Sequence, residues 1–195
     1  HVVPGMTELE VYAGIAGAVY AALGHWAVLY GDFTVSTGST KRGGVPTMHV
    51  LAAGETLILD YSVVVGGYRS DFTNTLVVGG KPTAEQQNVY GLCAMALEAG
   101  AAVLKAGATC QAVFDAVDGV LGGKLVHHAG HGLGIQHPEA PFLVRRSSET
   151  LVAGDVVTIE PGLYVDGVGG VRLEHNYLIT ETGYEQLSHH VLSPA

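Results

Sequence analysis

Asp60 and Asp71 stand eleven residues apart, and Glu160 and Glu174 repeat the arrangement about one hundred residues later. The first copy runs Leu51-Ala-Ala-Gly-Glu-Thr-Leu-Ile-Leu-Asp60. The second runs Leu151-Val-Ala-Gly-Asp-Val-Val-Thr-Ile-Glu160, with Leu, Ala, Gly and the closing acid at a constant offset. Leu57, Leu59 and the Val63–Val65 run mark the first copy as buried, and Glu160 and Glu174 sit in equally apolar runs. Neighbouring buried carboxylates are costly unless a cation or protons neutralise them. Any one of them alone would pass for a cap or a salt bridge, but few basic residues are at hand: Arg172 is near one and Arg69 near another. His131, in Gly130-His131-Gly-Leu-Gly134, is a fifth candidate, because flanking glycines let backbone and metal approach closely. Four carboxylates and one imidazole suit manganese, iron, cobalt or zinc. Calcium disfavours the imidazole, and neither Cys93 nor Cys110 sits in a structural-zinc motif. In a two-metal site about 3.5–4 Å across, a bridging hydroxide becomes nucleophilic near neutral pH, which makes a metal-dependent hydrolase the leading reading.

The elements that must position these groups follow from the pattern. Residues 4–23 open with Pro-Gly-Met-Thr7-Glu-Leu-Glu10; Thr7 and Glu10 have capping-box spacing, and Val11, Ile15 and Val19 keep a helical period. Residues 26–36 are expected as a strand, and 38–50 as a loop broken by Gly38, Gly43, Gly44 and Pro46. Residues 56–65 and 68–78 form an expected hairpin about Gly66-Gly67, with Asp60 and Asp71 on neighbouring strands. A helix is expected from Pro82-Thr83, with Gln86 at the capping position, to about Ala106, and a shorter one from Thr109 to Leu121. A Gly/His segment spans 127–137, and 155–160 with 170–180 supply the second strand pair. Gly5-Met-Thr7-Glu-Leu-Glu-Val11-Tyr12 also matches Gly107-Ala-Thr109-Cys-Gln-Ala-Val113-Phe114 at an offset of 102. Helix followed by carboxylate hairpin therefore occurs twice. Two copies imply pseudo-twofold symmetry with a pocket between the halves, since a solenoid needs about three or more.

The 195 residues suffice for one domain with a real core. A net charge of -9 with only 9 lysines and arginines excludes a nucleic-acid partner, and bound cations would offset part of it. No apolar run reaches bilayer length and no signal peptide is seen, so a cytoplasmic protein is expected. The two cysteines suit buried free thiols in a reducing compartment. Trp26 and the tyrosines are expected in the core, except Tyr68, which stands beside the carboxylate hairpin and within reach of a substrate.

At these residues the chain resembles the pita-bread metallopeptidases of the M24 class: methionine aminopeptidases, Xaa-Pro aminopeptidases and prolidases. The similarity runs from Pro4-Gly-Met-Thr-Glu8 to Ile179-Thr-Glu-Thr-Gly183. Five motifs occur in the family's order: Leu59-Asp60, Ser70-Asp71-Phe-Thr73, Gly130-His131-Gly132, Thr158-Ile-Glu160-Pro-Gly162 and Arg172-Leu-Glu174. The resemblance implies an α+β pita-bread (creatinase/aminopeptidase-like) fold, with two pseudo-symmetric helix plus β-hairpin halves around a dinuclear metal site. It implies that Asp60 chelates one metal, that His131 and Glu160 bind the other, and that Asp71 and Glu174 bridge them. Two divalent ions are expected, manganese first, with cobalt, zinc or iron as alternatives. Ser70-Asp71-Phe-Thr73-Asn-Thr75 and Gly169-Gly-Val-Arg172-Leu-Glu174 look like the Xaa-Pro branch.

The resemblance further implies outer histidines that hold the substrate carbonyl and the tetrahedral intermediate. His137, in His137-Pro-Glu-Ala-Pro141, looks like one. It follows His131 by six residues where the family commonly has seven, and Pro138 replaces the usual acid. His49 is the candidate for the other, closer to Asp60 than is usual. His127 and His128 would line the pocket, orient ligands or simply end a strand. His175 should point away from the site, and His189 and His190 into solvent. Glu160 is the candidate proton shuttle. Arg172 would orient Glu174 or bind a substrate carboxylate. The expected activity is removal of the N-terminal residue from Xaa-Pro peptides by a metal-bridging hydroxide. Methionine aminopeptidase and a non-catalytic protein-binding module are the alternatives, and a homodimer is compatible with the family. Residues 1–195 are expected as the catalytic domain, without the family's first helix or any N-terminal domain.

Overall fold

The computed structural model describes residues 2–36 and 43–195; the expected loop breaker Gly38 lies outside the described residues. Helix α1 (Glu8–Leu23) starts at a capping box: Thr7 Oγ1 accepts from the Glu10 N–H at 3.1 Å, and Glu10 Oε2 accepts from the Thr7 N–H at 2.7 Å. The chain then forms β1 (Val28–Ser36), β2 (Thr56–Val65), β3 (Tyr68–Arg69) and β4 (Phe72–Val77). Strand β2 is central, pairing antiparallel with β1, β3 and β4. Helix α2 (Ala84–Ala101) carries the second capping box, Thr83 with Gln86, and α3 (Cys110–Val120) is capped by Thr109. The second half adds β5 (Gly130–Gly132), β6 (Glu139–Leu143), β7 (Val156–Ile159), β8 (Gly162–Val165), β9 (Gly169–Arg172), β10 (His175–Ile179) and β11 (Tyr184–Gln186). Its larger sheet has the order β11-β10-β7-β5-β6, and β8 pairs with β9.

The internal repeat is visible in hydrogen bonds. Gly5 N–H donates to Leu51 O and Gly107 N–H to Leu151 O, both at 2.9 Å. Gly54 N–H donates to Val78 O and Gly154 N–H to Ile179 O, again both at 2.9 Å. Isolated bridges join Thr7 to Val50 and Thr109 to Thr150. The two apolar cores follow the halves. Val11, Leu51, Leu57, Tyr61 and Val78 form one; Cys93, Leu97, Val113, Val117, Val157 and Ile159 lie in the other. Both cysteines are buried and free.

Four expectations need correction. Helix α2 ends at Ala101 rather than Ala106, because Leu104 N–H turns back to Ala101 O and Ala106 N–H bonds Thr180 O across the fold. Neither of the expected strands 68–78 and 170–180 is continuous. The first breaks at Ser70-Asp71, where Arg69 N–H leaves the ladder for Gly134 O in the other half. The second breaks at Leu173-Glu174, where Leu173 N–H bonds Pro161 O and Glu174 N–H bonds Thr73 O. Strand β6 was masked in sequence by Pro138 and Pro141; as the edge of its sheet it tolerates a residue without an N–H. Finally, Trp26 is 75 % exposed rather than in the core, and Tyr20, Tyr30, Tyr68 and Tyr184 are also exposed. Tyr61, Tyr90 and Tyr177 are the buried ones.

Candidate metal centre

Four of the five candidate ligands sit where a ladder is interrupted. Asp71 lies between β3 and β4, Glu160 between β7 and β8, and Glu174 between β9 and β10. His131 stands on β5 beside a register shift against β6. Asp60 alone is in the middle of an unbroken strand, opposite Asp32 of β1 and Thr73 of β4. At a break, backbone groups change partner and the side chain can leave the alternating pleat, so residues from both halves turn into one space. Candidate ligand atoms of Asp60, Asp71 and Glu174 lie within 4.8 Å of one another, and so do those of His131, Glu160 and Glu174. A third group joins Asp71, His131 and His137. Two adjacent seats sharing Glu174 emerge, with Asp71 reaching both sides.

The site borders a cavity of about 290 Å³ lined by Asp32, Asp60, Asp71, His131, Glu160 and Arg172, among others. Asp71, His131, Glu160 and Glu174 are buried. His131 Nε2 lies 3.2 Å from Glu160 Oε1 and 3.5 Å from Asp71 Oδ2. Its other nitrogen, Nδ1, is 2.8 Å from Gly132 O, which assigns Nδ1 the proton when the ring is neutral and leaves Nε2 facing the carboxylates. Thr73 Oγ1 donates to Glu174 Oε2 at 2.7 Å. The opposite oxygens, Asp71 Oδ1 and Glu174 Oε1, are buried and have no hydrogen-bond partner among the described residues.

Charge explains what such a cluster requires. Burial, relieved by Arg172 and reinforced by Asp71 and Glu160, pushes the Asp60 carboxyl up to about 7. Burial and then the charges of Asp71, Glu160 and Asp60 push Glu174 well above the carboxylate range. Burial also works against ionised Glu160, but hydrogen bonds from His128 and His131 outweigh it and hold the group well below its ordinary value. Burial would neutralise His131; the hydrogen bond and charge of Glu160 overcome it and raise the ring to about 9. Among the described residues, five carboxylates (Asp32, Asp60, Asp71, Glu160 and Glu174) face one guanidinium, that of Arg172. The remaining four negative charges equal those neutralised by two divalent cations. The unpartnered inward oxygens and the donor set fit that occupancy.

The outer residues divide. His137 is brought to the cavity: its Nε2 lies 2.6 Å from Asp71 Oδ2 and its ring meets His131 edge-on at 5.1 Å. The Asp71 hydrogen bond raises its pKa. His127 and His128 also line the cavity. His127 Nε2 is 3.1 Å from the Tyr164 hydroxyl, and burial lowers the ring to about 4, so it is neutral at physiological pH. His128 Nδ1 is 3.3 Å from Glu160 Oε1. His49 is not brought in; it lies outside the lining, half-exposed, with Nε2 3.2 Å from Glu55. Tyr68 is 66 % exposed and borders a separate groove with Val19, Leu23 and Val63, because β3 turns it to the α1 side of the sheet. Arg69 stacks its guanidinium over the Tyr30 ring at 4.6 Å.

Arg172 does something other than orient Glu174. Its guanidinium donates to Asp60 Oδ2 at 2.5 Å, to Asp32 Oδ2 at 3.1 Å and to the Tyr164 hydroxyl at 3.3 Å. Strand β9 ends at Arg172, so the two side chains diverge: Arg172 holds Asp60 while Thr73 holds Glu174. His175 points away from the site, bonding Ser188 through Nδ1 at 2.9 Å. His190 is not in solvent; its ring lies 4.5 Å from that of His175. Sequence reasoning missed Asp32 and Tyr164. Neither belongs to a motif, and only the β1–β2 register and the β8–β9 hairpin bring them to the site.

The family model for Metallopeptidase family M24 matches residues 1–181. An uncharacterised peptidase of Staphylococcus aureus is 34 % identical over 168 residues, which are 84 % of this chain and 46 % of that protein. An Xaa-Pro dipeptidase from Bacillus anthracis superimposes with a TM-score of 0.89 at 30 % identity, covering 98 % of this chain and 55 % of its own. An X-Pro aminopeptidase from Thermotoga maritima gives 0.90 at 25 % identity, with 98 % and 55 % covered. The chain spans about half the length of the curated relatives it matches.

Proposed function

The chain belongs to metallopeptidase family M24, and from that membership we propose that it removes the N-terminal residue from Xaa-Pro peptides in a metal-dependent reaction. The observation that carries the reading is the convergence of Asp60, Asp71, His131, Glu160 and Glu174, with the buried Asp71 Oδ1 and Glu174 Oε1 lacking partners among the described residues. Asp60 would hold one divalent cation, His131 and Glu160 the other, and Asp71 and Glu174 both. Manganese is the first choice, with cobalt, zinc or iron as alternatives. Such cations supply Lewis acidity toward a peptide carbonyl and lower the pKa of a nucleophilic water.

The remaining roles belong to the chain itself. Arg172 offsets part of the burial that disfavours ionised Asp60 and fixes its direction. His137, already at the cavity wall, would donate to the carbonyl oxygen as negative charge develops there. Glu160 would carry the proton to the leaving proline nitrogen, with His128 and His131 holding its carboxylate. The Xaa-Pro preference is supported by the Gly169-Gly-Val-Arg172-Leu-Glu174 signature and by the Xaa-Pro names of the similar solved structures. We take residues 1–195 as one catalytic domain in the cytoplasm, acting on short peptides. No described helix is long and apolar enough to cross a membrane.

Elemental analysis combined with a small peptide panel tests the reading. Stoichiometric divalent metal and cleavage of Xaa-Pro substrates are expected, with Met-Ala-Ser left intact. Metal-free protein would make the chain a binding module, and preferential cleavage of Met-Ala-Ser would make it a methionine aminopeptidase.

A further inference from the structure

The last residues of the chain, beyond the region matched by the family model, cross both strands that leave the shared carboxylates. Strand β4 begins one residue after Asp71 and β10 one residue after Glu174. On the β10 side, Leu187 N–H donates to Asn176 O at 2.8 Å, and Ser188 Oγ accepts from the Asn176 N–H at 2.9 Å while bonding His175 Nδ1. On the β4 side, Asn74 Nδ2 donates to Ser193 O at 3.0 Å and Val77 N–H to Pro194 O at 2.8 Å. Between these ties, the His190 ring sits 5.2 Å from Phe72 and 4.5 Å from His175, each the neighbour of a candidate ligand. Thr73 follows Phe72 on β4. Thr73 is also the residue whose hydroxyl and carbonyl hold Glu174.

We propose that residues 187–194 form a strap that sets the spacing of Asp71 and Glu174, with His190 and Ser188 as positioning residues for a two-cation site. The proposal rests on the reading of that site given above. Two like-charged carboxylates from opposite halves repel each other, and in front their segments are linked by Thr73 to Glu174 and by Thr75 to Arg172. The strap adds a further link from behind, and none of its residues lines the cavity of the site. A pair of ligands shared between ions is sensitive to small shifts in spacing, so loosening the strap affects cation binding before it affects folding.

The test is manganese titration of the full chain by calorimetry, comparing the parent with His190→Ala, Ser188→Ala and the exposed control His189→Ala. His190→Ala and Ser188→Ala should each weaken manganese binding about tenfold, with circular dichroism unchanged and His189→Ala like the parent. His190→Phe keeps a ring between Phe72 and His175 and should recover most of the loss. If His190→Ala fails to fold, Ser188→Ala decides, since it removes hydrogen bonds but no packed ring. Parent-like affinity in the folded variants would overturn the strap. A parent that binds no stoichiometric manganese would instead defeat the reading of the site beneath it.

Discussion

At the scale of single residues, function depends on how a few buried charges are shared. Arg172 is the one guanidinium among the described residues of a cavity wall rich in carboxylates, and it is committed to Asp60 and Asp32. Its removal leaves Asp60 buried without its counter-charge, so proton and metal compete more strongly for the same oxygen. Arg172→Met should therefore lower divalent-cation affinity near neutral pH by about 10–100-fold, and raising the pH should restore part of the loss. Arg172→Lys should rescue poorly, because an ammonium lacks the planar fork that spans two carboxylates and a hydroxyl. Calorimetric titration with manganese checks this, and a pH-independent loss would count against it. The candidate ligands themselves were legible in the sequence, since acids in apolar runs without basic neighbours already demand an explanation. The partner of Arg172 was not. Arg172 and Glu174 are two apart, which on an unbroken strand means one face; the break between β9 and β10 sends them to different partners.

At the scale of elements, the site forms because ladders are interrupted at four of the five candidate ligands. Gly130 shows how tightly β5 is held: a Cβ there would overlap the backbone carbonyl of Thr158. Gly130→Ala should therefore displace β5 and destabilise the fold by about 1–3 kcal/mol, with loss of cation binding through His131. Gly119, exposed within α3 and with nothing within 4 Å of an added Cβ, is the contrast. Gly119→Ala should stabilise by about 0.5–1 kcal/mol. Urea denaturation of both variants would test the pair, and equal midpoints would refute it. Capping boxes, the β2–β3 hairpin and the repeat could be read from local chemistry, because caps and turns depend on residues a few positions apart. The strand breaks and β6 could not, because their hydrogen bonds go to residues distant in sequence.

At the scale of the molecule, two halves present more negative charge than the fold alone can neutralise, and pH becomes the control. Asp60, moved from 3.8 to about 7, and Glu174, moved upward, stabilise the cation-free protein at low pH; that contribution is lost as pH rises through their folded values. His131, moved from 6.5 to about 9, loses its contribution over a higher range in the same direction. Glu160 runs oppositely, its stabilisation disappearing as pH falls below the ordinary carboxylate range. His127 and His175, lowered by burial to about 4, gain stability as pH rises to about 6.5 and offset the carboxyl loss there. The thermal midpoint of chelator-treated protein should therefore fall between about pH 6.5 and pH 9. Added manganese should raise it more at the upper end, because the cations replace protons already weakening there. Scanning calorimetry with and without chelator measures this, and a constant metal-dependent gap across the range would be inconsistent with it. By itself, the sequence determined the duplicated unit, the helix starts and the acidic and imidazole candidates for metal ligation, because each is written in spacing, polarity or burial over short stretches. Only tertiary structure decided that Arg172 serves Asp60, that Asp32 and Tyr164 join it, and that the tail ties β4 to β10. Those relations depend on register and on which strands end beside each other across the pseudo-twofold, and no local pattern encodes that.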